Sequence, residues 1–587
     1  MTKIVYSSSQ SSEKQQHHTT LFLVMMRLNL KYVLTSLILM VTCVTLMLWS
    51  RCGELVRTFP KRFYASHYQS MEAVEIDCVI NQEYSIGCRR EGDEVYLPFT
   101  FIKKYFEVYG SLNSIDGITH FDWNHSYGKV NLPRSIYDSK GIYMYFENYN
   151  VEVRDRVKCI SASAGVPITT QWESQGYFYA TQIAQFGLSH YSKNLTDPEP
   201  TRKVIEDGES NQSNWIIPKE SSLTRNIAVN HTSIVNFTTY NQFDNGIYLD
   251  VDHVLDLLLS VDVFFRTNSS LTVTIQNRES QQIYYLHYVV ADVSITVQDA
   301  NIYHGIGMNA ASRWKHLARD LFIDVQKGVV ALYSNRKLKM RRSELKVIKI
   351  AFVGSGAFDN LTLSTSEHIQ HFYDAAEWFV HHQNQSTGGW AIPVKRRLAS
   401  GFEDLPRGWY SAMSQGHAIS LLSRAFYHSG GNRKYLKAAV NALKPFKVAS
   451  AQGGVLAKFM GILPWYEEYP TTPPSFVLNG FIYSLLGLYD LHQIAPKTKG
   501  GKEAGLLFDQ GMDSLKKMLT IFDTGSGSVY DLRHFSLGIA PNIARWDYHV
   551  THVNQLLLLA TIDEDPIFSQ TADRWRGYMM GKRAMHN

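Results

Sequence analysis

Signatures of metal, nucleotide and serine-nucleophile chemistry are missing from this 587-residue sequence. It has no HExxH, no CxxC, no Walker loop, no GxSxG and no complete dinucleotide fingerprint in a suitable context, so zinc, kinase, hydrolase and nicotinamide readings all lack support. Cysteine is scarce, with five residues. Charge is also sparse: Asp, Glu, Lys and Arg make up 19% of the chain, beside 34 Tyr and 11 Trp, which excludes a disordered, solvating protein. The net charge of +5 is too small to mark a nucleic-acid binder, although it is compatible with a polyanionic partner. No redox cofactor is expected.

One long uncharged run is present, Tyr32 to Ser50, framed by Lys31 and Arg51. It is long enough to cross a bilayer and lacks a good cleavage site, so it reads as a signal anchor. Flanking charge does not settle its orientation, because Lys3, Lys14, Arg27 and Lys31 are matched by Arg51, Arg57, Lys61 and Arg62. The sequons do: Asn124, Asn194, Asn211, Asn230, Asn236, Asn268, Asn360 and Asn384 all follow the run, which places that side in the secretory lumen. A Golgi-type, single-pass type II protein is expected, with residues 1–31 as cytosolic tail, 32–50 as anchor and 51–75 as stem. With Cys43 and Cys52 at the membrane, Cys78, Cys88 and Cys159 face an oxidising compartment, and Cys78–Cys88 is the expected bridge.

The remainder is α+β and multidomain. From residue 76 to 192, short apolar and aromatic runs broken by turn residues, such as EGDEVYLPF and GIYMYFENYNVEV, read as a β-hairpin region. Residues 193–365 read as a β-sandwich or barrel, entered through a polar loop (193–214) and continued by β-branched segments such as LTVTIQN and KVIKIAFVG. From Ser366 the apolar spacing becomes helical, as in HIQHFYDAAEWFVHHQ and FVLNGFIYSLLGLYDLHQIA. Residues 366–587 read as an α/α toroid-like domain that carries the chemistry.

Three polar clusters stand out there. Trp465-Tyr466-Glu467-Glu468-Tyr469-Pro470 sets two carboxylates between phenols, Gly525 to His534 presents Tyr530 three residues before Arg533, and Arg545-Trp546-Asp547-Tyr548-His549 is followed by His552. Proton removal next to a carboxylate needs cations to hold the growing negative charge, for which the arginine fork is suited, and a phenol can serve as acid or, if ionised, as base. Taken singly, each residue has a bland alternative: a packed Tyr, a surface ion pair, a core His, a solvated Glu. Arg154-Asp155-Arg156 on a strand would by itself be an ion-pair ladder. Together the clusters indicate a polar site for an anionic sugar.

The blocks YNVEVRDRVKCIS, QGYFYATQIAQFGLSHYSKN, GWYSAMSQGHAIS, WYEEYPTTPPSFVLNGF and DTGSGSVYDLRHFSLGIAPNIARWDYHVTHVNQL resemble the heparan sulfate D-glucuronyl C5-epimerase family. The resemblance runs from about residue 140 to the end and is strongest from Gly408 to Leu558. It implies an isomerase that converts D-glucuronate to L-iduronate in a heparan-type polymer, acting as a homodimer at the Golgi membrane, with sulfotransferases of the same pathway as further partners. It also implies Tyr530, Tyr548, Glu468 and Tyr469 as the catalytic group. Substrate contacts are implied at Tyr149, Arg154, Asp155, Arg156, Gln171, Tyr179, Gln182, Arg397, Asn479, Tyr483, Arg533, Arg545, Trp546, Asp547 and His549. A structural calcium is implied at Asp207, Glu209 and Asp359, with no part in catalysis. Two other functions use similar residues: a uronate lyase, which would leave an unsaturated product, and a membrane-tethered polyuronate lectin, which would not exchange the C5 proton.

Overall fold

The computed structural model describes residues 73–105, 108–124, 128–209, 214–227, 233–240, 246–332 and 340–585. The expected tail, anchor and most of the stem lie outside the described residues. Among the described residues no helix is long and apolar enough to cross a membrane.

The chain divides into two compact units, Met1–His125 and Ser126–Asn587. In the first, β1 (Val74–Ile80), β2 (Tyr84–Glu91) and β3 (Glu94–Tyr96) form an antiparallel sheet, followed by α1 (Phe99–Tyr105) and the hairpin of β4 (Tyr109–Ile115) and β5 (Ile118–Asn124). The β4–β5 turn has left-handed backbone at both of its residues, Asp116 and Gly117, the geometry that matches strand twist in a two-residue hairpin, and the three-residue β1–β2 loop is left-handed at Asn81 and Gln82. Cys78 and Cys88 are bonded across β1 and β2, as expected. Cys159, in the second unit, is a buried free thiol.

The second unit begins with aromatic turns rather than strands. GIYMYFENYNVEV contains only a short 3-10 helix, Phe146–Asn148, because Tyr143 and Phe146 are three residues apart and turn together into the helical core. The span 76–192, read above as one hairpin region, is therefore split between the two units. A small sheet of β6 (Val157–Ile160), β7 (Pro167–Thr169) and β8 (Tyr177–Phe178) leads into α2 (Ala180–Thr196), which packs among the later helices. The expected loop at 193–214 is also shorter than read: α2 runs to Thr196, and β9 (Arg202–Glu206) joins the sandwich sheet.

The sandwich comprises β9, β10 (Ser222–Ile227), β11 (Ser233–Thr238), β12 (Ile247–Val254), β13 (Leu258–Asn277), β14 (Ile283–Val289), β15 (Thr296–Gln298), β16 (Asn301–Gly305), β17 (Trp314–Asp320) and β18 (Leu345–Ser364). The two 20-residue strands, β13 and β18, pair antiparallel from Leu258↔Ser364 to Asn277↔Leu345. Their register shifts near Thr267 and Ser270, where Asn268 and Gly354 have positive φ, and such bulges bend a strand so that different stretches pair with different neighbours. β13 accordingly pairs first with β17 and then with β14. The interior is lined by side chains such as Val261, Val273, Leu286, Ile350 and Phe358. Helix α3 (Leu321–Leu332) was not foreseen from sequence; Gly328 lets it lie on Ile302, which a Cβ there would approach to 2.4 Å.

The helical region contains α4 (His368–His382), α5 (Ala412–His428), α6 (Arg433–Asn441), the hairpin of β19 (Leu456–Phe459) and β20 (Leu463–Tyr466), α7 (Leu478–Ile494), α8 (Lys499–Met518), β21 (Val529–Asp531), α9 (Arg533–Leu537), β22 (Asn542–Ile543), α10 (Trp546–Ile562) and α11 (Pro566–Met579). α2 packs on α4 and α5, α5 on α7, α7 on α8, and α10 on α11. The α5–α7 crossing is close because Gly416 faces the backbone of Ser484, which a Cβ would meet at 2.5 Å. One ion pair is fully buried in this core: Arg424 Nη1 donates to Asp490 Oδ2 at 2.6 Å, and Tyr137 donates to the same carboxylate at 3.0 Å. Arg424 also donates to the Tyr137 hydroxyl and the Gly141 carbonyl, so a single guanidinium ties the aromatic turns to the helices.

Candidate active site

Strand β20 delivers Glu467 and Glu468 in succession, and neighbouring side chains on an extended chain point to opposite sides. Both are buried, so neither is the solvated loop residue that its sequence allows. Glu467 turns into the protein, where it accepts from Ser475 Oγ at 2.8 Å and from the Phe476 amide at 3.0 and 3.2 Å. Phe476 takes a φ of 55° to present that amide. Burial pushes the Glu467 carboxyl up to about 8, against the pull of these donors. Glu468 lies over the first turn of α7, where Gly480 leaves it room: a Cβ there would sit 2.3 Å from Glu468 Oε2. That oxygen is buried without a hydrogen-bond partner. Desolvation raises the Glu468 carboxyl to about 7, while the Tyr469 hydroxyl and the Arg396 charge draw it back down.

Tyr530 on β21 and Tyr548 in the first turn of α10 meet with ring centroids 4.7 Å apart at 68°. Burial raises both phenols, and the nearby Glu468 charge raises them further. Tyr469 and Tyr179 are raised for the same two reasons, so four phenols surround one carboxyl and all are neutral at neutral pH. The loop bearing Tyr530 is braced from behind. His549 Nδ1 accepts from the Ser528 amide at 3.1 Å, Ser528 Oγ lies 2.9 Å from His552 Nδ1, and His549 Nε2 lies 3.0 Å from the Trp575 carbonyl. Burial lowers both imidazoles, His552 to about 3, which makes them neutral struts. Arg533, expected at the substrate carboxylate, forks onto Asp531 at 2.8 and 2.6 Å, and Asn542 completes that carboxylate at 2.9 Å. Its charge is spent locally.

The cation facing the phenols is one the sequence reading passed over. Arg396 lies over the rings of Trp172 at 4.8 Å and Tyr469 at 6.0 Å, and its Nε is buried without a hydrogen-bond partner. Arg397, named instead, points outward to Asp404 at 3.9 Å with its side chain 69% exposed. Leading up to them, Ile392 and Val394 are buried while Ala391, Pro393 and Lys395 are exposed, an alternation that puts 396 inside and 397 outside and that the residue types themselves do not announce. Trp172 and Trp409 were also missed; they stand 6.4 Å apart beside Tyr469 and Tyr179 and wall this side of the site. Trp172 holds a φ of 73°, strained for so large a residue.

Other expected residues fall into place around this centre. The Arg156 charge offsets part of the burial-driven rise of the Tyr548 and Tyr179 phenols, and Arg154 stacks on Tyr149 at 3.9 Å and offsets part of the same rise at Tyr483. Both arginines sit in a turn rather than on a strand, so no cross-strand ladder forms. Asp155, in the same turn, is exposed. The amide of Gln182 and Asn479 Oδ1 are buried without hydrogen-bond partners among the described residues. Tyr483 rests on His417 at 4.4 Å. Gln171 offers its carbonyl to Tyr177 at 2.7 Å. Arg545 pairs with Asp547 at 3.0 Å on the exposed rim and lies over the Tyr548 ring, beside the half-buried Trp546. In the sandwich, burial raises the Asp359 carboxyl, and the charges of Asp262, Asp207 and Glu209 add smaller increments. Asp207 and Glu209 accept backbone amides there, and among the described residues no three acidic, His or Cys side chains are grouped to hold a metal ion.

A mixed α+β chain with neutral phenols, a carboxyl of near-neutral pKa and cations gathered in one desolvated centre is an enzyme of the proton-transfer class. Two family models match it: the D-glucuronyl C5-epimerase C-terminus over residues 383–577 and the D-glucuronyl C5-epimerase β-sandwich domain over 231–355. The D-glucuronyl C5-epimerase of Caenorhabditis elegans is 38% identical over 561 residues, which cover 88% of this chain and 90% of that protein. An uncharacterized protein of Methanocaldococcus jannaschii is 32% identical over 178 residues, 30% of this chain and 53% of its own. The solved CBM22-1 xylan-binding domain of Paenibacillus barcinonensis Xyn10C aligns with 28% of this chain and 94% of its own at TM-score 0.16 and 12% identity, too low to carry an argument. The chain belongs to the D-glucuronyl C5-epimerase family.

Proposed function

We propose that this enzyme inverts C5 of D-glucuronate residues within a heparan-type polymer to give L-iduronate, without a redox cofactor. The observation that carries the proposal is the Tyr530–Tyr548 pair set against Glu468, whose pKa of about 7 lets it take up or release a proton under working conditions. The uronate carboxylate pairs with Arg396 and Arg156, so the charge that develops when C5 loses its proton is neutralised as it forms. The proton leaves one face of C5 to Glu468, directly or through a phenol that passes its own proton to Glu468. A neutral phenol on the other face then donates its proton to C5, and the inverted centre results. Exchange among Tyr469, Tyr530, Tyr548 and Glu468 restores the starting state, so solvent hydrogen enters at C5. Gln182, Asn479, Tyr483, Tyr149 and Arg154 line the approach for neighbouring sugars.

The same proposal includes helices closed as an α/α toroid, a homodimer, type II placement in the Golgi membrane with the catalytic part luminal, and association with sulfotransferases of the pathway. Exposed sequon residues such as Asn194, Asn268, Asn360 and Asn384 favour the luminal placement. A structural calcium near Asp207, Glu209 and Asp359 is an accessory, favoured by their mutual electrostatic coupling, and no step runs through it. The deciding experiment follows desulfated glucuronate polymer in deuterated water by proton NMR with ultraviolet detection alongside. Deuterium at C5 of both uronates is expected. New absorbance from an unsaturated uronate with chain cleavage would make the enzyme a lyase, and binding without exchange would make it a lectin.

A further inference from the structure

The sandwich supplies none of the groups at the proton-transfer centre, yet one of its side chains reaches the turn that carries two of the site's arginines. Helix α3 leads from β17, and Gly328 lets it settle against Ile302. The adjacent Lys327 is thereby driven inward, 5% exposed, where its Nζ donates to the Arg154 carbonyl at 2.8 Å. Lys193 of α2, 7% exposed, donates to Asn150 Oδ1 at 2.7 Å and lies 3.6 Å from Glu152. The chain from Asn150 to Arg156 is also held by the Arg154 amide on the Val151 carbonyl, the Val157 amide on the Arg154 carbonyl, and the Thr170 amide on the Arg156 carbonyl. Val151 and Val157 anchor the two ends of the turn in the core, while Val153, Asp155 and Arg156 between them are exposed.

Burying a lysine costs free energy that a surface position would not, so two of them beneath a single turn require a compensating task. Asp155 and Glu152 partly offset the cost for Lys327, whose ammonium is nevertheless lowered to about 8. We infer that Lys327 is a positioning residue for substrate binding: by holding the Arg154 carbonyl it fixes the direction in which Arg154 projects along the approach for neighbouring sugars, and so makes the sandwich a working part of the polymer site. The inference rests on the epimerase reading for the identity of the ligand. A cation displaced by about an ångström loses most of its value for an anion it must meet in a set geometry.

The test is the Lys327→Met variant of the whole chain, assayed for C5 deuterium exchange on desulfated glucuronate polymer. KM is expected to rise about ten-fold with kcat within two-fold, because the tyrosines, Glu468 and the Arg396 and Arg156 cations at C5 are untouched. Lys327→Arg, which keeps a buried donor, restores most of the loss. In an Arg154→Ala background Lys327→Met adds no further rise, since the group it positions is gone. A wild-type KM in Lys327→Met, an equal fall in kcat, or a full additional rise in the Arg154→Ala background would each overturn the inference. Should Lys327→Met fail to accumulate, Lys327→Leu, which also lacks a donor, carries the same comparison. Absence of exchange in the wild type would instead sink the epimerase reading, and is seen before any variant is made.

Discussion

Replacing Glu468 by Gln separates stability from activity in opposite directions. The Glu468 carboxyl is raised from 4.5 to about 7, chiefly by burial, and its Oε2 has no hydrogen-bond partner. An acid whose folded pKa lies above its unfolded value contributes stability that is complete below the unfolded pKa, and that contribution is lost as pH rises through the folded one. The wild type therefore forfeits stability between about pH 4.5 and 7, on the order of 3 kcal/mol once Glu468 is charged. Gln has nearly the same shape and never ionises. Denaturant melts of Glu468→Gln are expected to show about 2 to 3 kcal/mol more stability than wild type at pH 8 and little difference at pH 4.5. C5 exchange should fall by about 10² to 10⁴, the usual contribution of a positioned general base. A variant whose stability difference from wild type is the same at both pH values, or which exchanges at the wild-type rate, would refute the assignment of a buried, catalytically charged carboxylate.

Three other substitutions probe the same geometry. Arg396→Gln is expected to lower kcat/KM for exchange at least a hundred-fold, whereas Arg397→Ala, an exposed partner of Asp404, stays within about two-fold; comparable losses in both would contradict the inward placement of Arg396. Gly480→Ala puts a methyl group 2.3 Å from Glu468 Oε2, so a loss of kcat is expected with an overpacking cost of about 1 to 3 kcal/mol in a denaturant melt, and full activity would show that Glu468 lies elsewhere. Asp490→Asn leaves Arg424 buried without its counter-charge and should cost about 3 to 5 kcal/mol by the same melt, with a small effect meaning that water or another group replaces the pair.

Periodicity and turn chemistry made much of the architecture legible. Alternating β-branched runs gave the sandwich strands, helical spacing gave the helices after Ser366, and paired turn residues gave the hairpins of the first unit, because each is set by neighbours a few residues apart. What failed was local pattern overruled by distant packing. GIYMYFENYNVEV is rich in strand formers, but Tyr143 and Phe146 find their burial against helices more than two hundred residues away. At the site, the sequence determined which residue types were available: the paired Glu467 and Glu468, the phenols at 469, 530 and 548, and a supply of arginines. Only tertiary structure decided what each does. The chain's path past Gly480 desolvates Glu468 and leaves Glu467 tied to Ser475, Asp531 claims Arg533, and an alternation of single residues turns Arg396 inward and Arg397 out. Identity is carried by the side chain, whereas pKa and pairing depend on which charges and how much water surround it, and those are fixed by residues far apart in the chain.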